Sequence, residues 1–89
     1  MPAYWIGYKL EAKGQNYDGL YSAIKDIGGW WRHTTSSWIV TSNSKATDIR
    51  DTLKEHIDEN DTLIVAKLSG EAAWANIGKN GSEWLKSNL

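Results

Sequence analysis

The chain has 89 residues and no cysteine, and its ten Lys plus Arg against eleven Asp plus Glu leave a formal net charge of −1. That length holds one domain, excludes disulfides and thiolate metal sites, and offers no global positive field for a polyanion, so any nucleic-acid contact must rest on a local patch or on stacking. No apolar run approaches the roughly 20 residues of a membrane span, and residues 1–10 lack the basic start of a signal peptide; the expectation is a soluble, cytoplasmic protein with no membrane partner.

Residues 3–10 (Ala-Tyr-Trp-Ile-Gly-Tyr-Lys-Leu) are rich in β-formers. Alternation places Tyr4, Ile6, Tyr8 and Leu10 on one face of a first strand and Trp5, Gly7 and Lys9 on the other. Residues 11–15, with Lys13-Gly14, read as a loop. Asn16 is a helix cap, and Tyr17, Leu20, Tyr21, Ile24 and Ile27 recur at helical spacing until Gly28-Gly29 stops the helix. Residues 30–34 and 38–41 read as two strands joined by Thr35-Ser36-Ser37, short enough for a hairpin.

In a regular strand Trp30 and Trp31 must point to opposite faces. A second helix follows, with cap candidates Ser42-Asn43-Ser44, Asp48 near its positive end and an apolar stripe of Ala46, Ile49, Leu53 and Ile57. The acidic stretch of residues 58–61 reads as a solvated turn, and residues 62–68 as a fourth strand. The tail, residues 71–89, holds Trp74 and Trp84 and a short helical stretch over residues 82–89. It is too apolar for a loose end.

The order βαββαβ predicts an α+β fold, the ferredoxin-like plait, over residues 1–70, with both helices on one face of an antiparallel sheet and the other face bare. The extension, residues 71–89, then packs on the domain or on a dimer partner. Tryptophans fall on both faces of the sheet, so the second face calls for a partner, a ligand or another copy.

Within this framework the strings Tyr4-Trp5-Ile6-Gly7-Tyr8-Lys9-Leu10, Gly29-Trp30-Trp31, Ser37-Trp38-Ile39-Val40 and Asp61-Thr62-Leu63-Ile64-Val65, over about residues 3–70, carry a family resemblance. The chain resembles small bacterial and phage proteins similar to the small nuclease-like subunit of the CRISPR adaptation complex and to virulence-associated protein D, some of which carry a SinR-like label. The resemblance implies a homodimer. In the nuclease-like members an aspartate follows an aromatic residue at the end of the first strand, and two copies bring these aspartates together around a divalent metal. Here the aromatic is Tyr8 and the aspartate position is Lys9, whose ammonium has no lone pair and repels the ion. Glu11 is the nearest carboxylate. No metal site or cofactor is therefore expected, and the substitution leans against catalysis while leaving it open.

Trp5, Trp30, Trp31 and Trp38, with Lys9, Arg32 and His33 among them, form the candidate binding set. In one reading the rings stack on bases or a nucleotide while the cations meet phosphate. In the other, which we prefer, they are core on one side and dimer interface on the other. His56, near the end of the second helix, suits the negative end of the helix dipole. Three functions follow: a non-catalytic homodimeric binding or adaptor module, a metal-dependent endonuclease or toxin-like ribonuclease acting through Glu11 or His33, and a nucleotide-binding or sequestering protein with an aromatic face.

Overall fold

The computed structural model describes residues 1–11 and 16–89; the loop expected over residues 11–15, with its Lys13-Gly14 pair, lies from residue 12 to residue 15 outside the described residues. The elements are β1 (Ala3–Lys9), α1 (Asp18–Lys25), β2 (Trp30–Thr34), β3 (Ser37–Thr41), α2 (Ala46–Lys54), β4 (Thr62–Lys67) and α3 (Lys79–Asn88). The four strands form one antiparallel sheet in the order β2-β3-β1-β4, which leaves β2 and β4 as its edges. No helix among the described residues is long and apolar enough to cross a membrane.

The alternation in β1 has the expected consequence. Tyr4, Ile6 and Tyr8 are buried with Trp38 and Val40 of β3, under Leu20 and Ile24 of α1 and Ile49 and Leu53 of α2. The stripes on both helices are spaced to meet this face, and their burial is the main favourable contribution to folding. The cap position of α1 falls on Tyr17 in place of the expected Asn16, which accepts the N–H of Asp18 at 2.8 Å from one residue further out. The helix ends at Lys25, before the two glycines. Gly28 serves a different need, because a Cβ there would strike the Thr41 carbonyl where the chain enters β2 beside β3.

At α2 the expected cap residues act elsewhere. The helix begins at Ala46 with no side-chain cap. Ser42 Oγ accepts the Ser44 N–H at 3.0 Å, and the Ser44 carbonyl accepts the Tyr4 hydroxyl at 2.7 Å, so this stretch ties the helix entry to β1. His56 lies beyond the helix end, its N–H bonded to the Leu53 carbonyl at 2.9 Å. Its Nδ1 stands 3.2 Å from the position a Cβ on Gly19 would take, so this glycine lets α1 approach α2 closely.

The acidic turn is not simply solvated. Asp61 is buried, and its carboxylate accepts the Glu11 N–H at 2.6 Å, the Tyr17 hydroxyl at 2.9 Å and the Asp58 N–H at 2.8 Å. One side chain thus joins the end of β1, the start of α1 and the turn into β4.

The β2–β3 hairpin is closed by Thr35-Ser36, with Thr34 Oγ1 and Ser37 Oγ sharing a hydrogen bond of 2.7 Å. Tyr8 reaches this turn from below: its hydroxyl donates to the Thr35 carbonyl at 2.7 Å and accepts Trp38 Nε1–H at 2.9 Å. Burial raises the pKa of the Tyr8 phenol, against the lowering effects of the Trp38 N–H and the Arg32 charge. A raised phenol pKa means that the folded state holds this proton where the unfolded chain, titrating near about 10, releases it. The contribution is therefore complete below about pH 10 and is lost as pH rises through the folded-state value. Alkaline denaturation followed by circular dichroism will show stability falling above about pH 10, with a shallower fall in Tyr8→Phe; equal slopes in the two proteins would contradict this role.

Candidate functional site

Cross-strand register sorts the tryptophans. Trp30 pairs with Val40 and Arg32 with Trp38, so both share the helix-covered face, whereas Trp31 pairs with Ile39 on the other. Trp5 also pairs with Ile39 and, on its other side, with Ala66. The expected divergence of Trp30 and Trp31 is realised, and the candidate set divides into two groups.

On the helix side, Trp38 is fully buried and belongs to the core, which removes it from any stacking surface. Trp30 leans on it at 5.3 Å between ring centroids and is 41% exposed, with the Lys25 ammonium 5.1 Å from its ring. Arg32 lies over Tyr21 at 4.5 Å and Trp38 at 4.8 Å. Its guanidinium donates to the Thr34 and Thr35 carbonyls at 3.3 and 2.9 Å. This arginine clamps the hairpin turn, so the role of phosphate anchor does not suit it.

Lys9 is also removed from the tryptophans. Its backbone pairs with Thr62, four positions along β4 from Ala66, the partner of Trp5, about 13 Å from the Trp5 backbone. Its ammonium meets Glu11 at 3.2 Å, and both side chains are largely exposed. Among the described residues no three of His, Cys, Asp and Glu gather in a way that could hold a metal ion.

The second face carries the candidate site. A β-bulge between Arg32 and Thr34 adds His33 to β2, and its ring stacks on Trp31 with centroids 5.2 Å apart and planes at 27°. Trp5 lies flat on the sheet, because a Cβ on Gly7 would stand 2.6 Å from its Cζ2. A glycine inside a strand often marks such an approach. Above this floor runs the C-terminal segment. Gly81 of α3 sits against Trp31, where a Cβ would be 2.9 Å from Cζ2, and Leu85 is buried. Trp74 is held by its own N–H, which donates to Ser82 Oγ at 2.9 Å.

The second face is thus not bare, as expected from two helices alone, since α3 covers part of it from the side opposite α1 and α2. The physical reason is the row Trp5, Trp31 and Ile39, too apolar to leave in water. Between floor and cover remains a cleft of about 220 Å³, with Trp5, Trp31, His33 and Ile39 below and Trp74 and Ile77 above. A second depression, about 430 Å³, lies between the helices beside Asp26, Asp48 and His56. Its walls mix polar and apolar groups, with no comparable cluster of rings.

The sequence places Trp5, Trp31 and His33 of the floor in the candidate binding set, but not Ile39, and assigns no binding role to Trp74, Ile77 or Gly81 of the tail. Small and aromatic residues without a clean period were the only signal in that segment. No protein-family model matches the chain, and no solved structure matches it.

Proposed function

We propose that this protein is a non-catalytic binding module on a ferredoxin-like plait, and that it works as a homodimer. The plait is supported by the strand order, with β1 and β3 central and β4 beside β1, and by the placement of α1 and α2 on one face. The observation that carries self-association is the part of the second face that α3 leaves open. Ile64 is 58% exposed on the edge strand β4, opposite Gly7, and the ring lying over Gly7 is that of Trp5, itself 37% exposed.

An apolar edge strand with unpaired backbone groups is a template for another strand. A two-fold axis brings the same patch of each copy together, so one exposed isoleucine is buried twice. Because Ile64 is 58% exposed, burying each is worth about 1–2 kcal/mol, and the pair shifts dimerisation by roughly 30- to 1,000-fold. The Lys9–Glu11 pairing supports the non-catalytic part of the reading, since it places an ammonium beside the nearest carboxylate.

Sedimentation equilibrium tests the proposal. The wild-type chain is expected to be dimeric at micromolar concentration and Ile64→Lys monomeric, with its circular dichroism spectrum at 25 °C unchanged because Ile64 is exposed in the monomer. A wild-type chain that stays monomeric at a hundred times that concentration would sink it.

A further inference from the structure

We infer that the cleft between the sheet and the C-terminal segment is a binding site for one flat, uncharged bicyclic ring, of the indole or purine-base kind. The inference goes beyond self-association and does not depend on it.

Size is the first argument. An apolar cavity of about 150 Å³ takes a benzene ring and clefts for drug-sized ligands start near about 300 Å³, so about 220 Å³ suits a single bicyclic ring. Wall chemistry is the second. Trp5, Trp31 and Trp74 contribute three indoles, Ile39 and Ile77 add aliphatic surface, and among the described residues no carboxylate, ammonium or guanidinium side chain lines the cleft. A ligand bearing phosphate or carboxylate would find no lysine or arginine, and a cationic one no side-chain carboxylate. Arg32 cannot serve, because it points to the other face and is tied to the hairpin turn.

Preorganisation is the third. Gly7 lets the Trp5 ring lie flat, and Gly81 admits Trp31 against α3. The His33 bulge extends Trp31 into a stacked pair, and the bond to Ser82 holds Trp74. Fixed aromatic walls lose little freedom on binding, and stacking tolerates many ring types. Among the described residues His33 is the one titratable side chain on the wall, and it offers its ring nitrogens to a polar edge of the ligand.

The test is a titration of the isotopically labelled full chain with indole, adenine, adenosine monophosphate and choline, following the assigned indole N–H signals by NMR. Indole and adenine are expected to shift the Trp5, Trp31 and Trp74 signals saturably, with the monophosphate binding no tighter than adenine and choline causing no shift. Ala73→Trp, which fills the cleft from an exposed position on its cover, weakens ring binding at least tenfold, while Ile64→Lys binds as the wild type does. Intermolecular contacts between ring protons and the Ile39 and Ile77 methyls locate the ligand independently of how Ala73→Trp folds. A saturable response to choline in place of the rings, monophosphate binding tenfold tighter than adenine, or a well-dispersed spectrum that no ring compound moves would each overturn the inference. A wild-type chain that stays monomeric while it binds the ring compounds would overturn the functional proposal alone.

Discussion

Replacing Trp38 by alanine is expected to remove about a third or more of the protein's stability and to lower its melting temperature by about 12–40 °C. The side chain is fully buried at the centre of β3. It contacts Trp30 and lies 6.3 Å, centroid to centroid, from Tyr21, with its N–H on the Tyr8 hydroxyl. Truncating a buried tryptophan costs about 3–5 kcal/mol through lost transfer energy and an unfilled cavity. Domains of this size carry roughly 5–10 kcal/mol in total, and each kcal/mol moves the melting temperature by about 4–8 °C. Arg32 also loses one of the two rings beneath it. Trp38→Phe separates the effects: it keeps most of the volume and removes the N–H donor, for a loss of about 1–2 kcal/mol. Urea unfolding monitored by far-UV circular dichroism checks both variants, and an alanine variant within 1 kcal/mol of wild type (about 1 kcal/mol being an ordinary surface-to-mild effect) would show that the ring is not a core residue.

Asp61→Asn is expected to lower stability by about 2–4 kcal/mol, although the side chain barely changes in size. One carboxylate oxygen receives the Glu11 N–H, and the other receives both the Tyr17 hydroxyl and the Asp58 N–H. An amide can present its oxygen to one of these sides only, and its NH₂ then faces a donor. Tyr17→Phe removes one donor and is expected to cost about 1 kcal/mol, so the two variants together separate the hydroxyl from the backbone bonds. A melting temperature for Asp61→Asn equal to that of wild type would mean that Asp61 does not tie β1, α1 and β4 together.

These two residues had opposite legibility in the sequence. Trp38 belonged to an alternating strand, so its face was readable, yet it was grouped with the surface rings because nothing local says how deeply a tryptophan is buried. Asp61 stood in a run of acidic residues whose composition suggests water. Its donors come from residues 11 and 17 as well as from residue 58, and only the close approach of β1 and β4 brings them together. Helix ends were read to within a few residues at α1 and α2. The start of α3 was missed, because Gly78 and Gly81 obscure its periodicity.

The sequence by itself determined the element order, the α+β class, the face taken by each residue of β1 and the divergence of Trp30 from Trp31. All of these follow from side-chain periods of 2 and 3.6, which a few neighbouring residues suffice to express. Tertiary structure alone decided that Arg32 would clamp a turn, that His33 would join Trp31 through a bulge, and that residues 71–89 would lie across the second face and leave a cleft there. Those outcomes depend on which surfaces meet, and burial drives apolar surfaces together without specifying, in any short stretch of chain, which partner each will find.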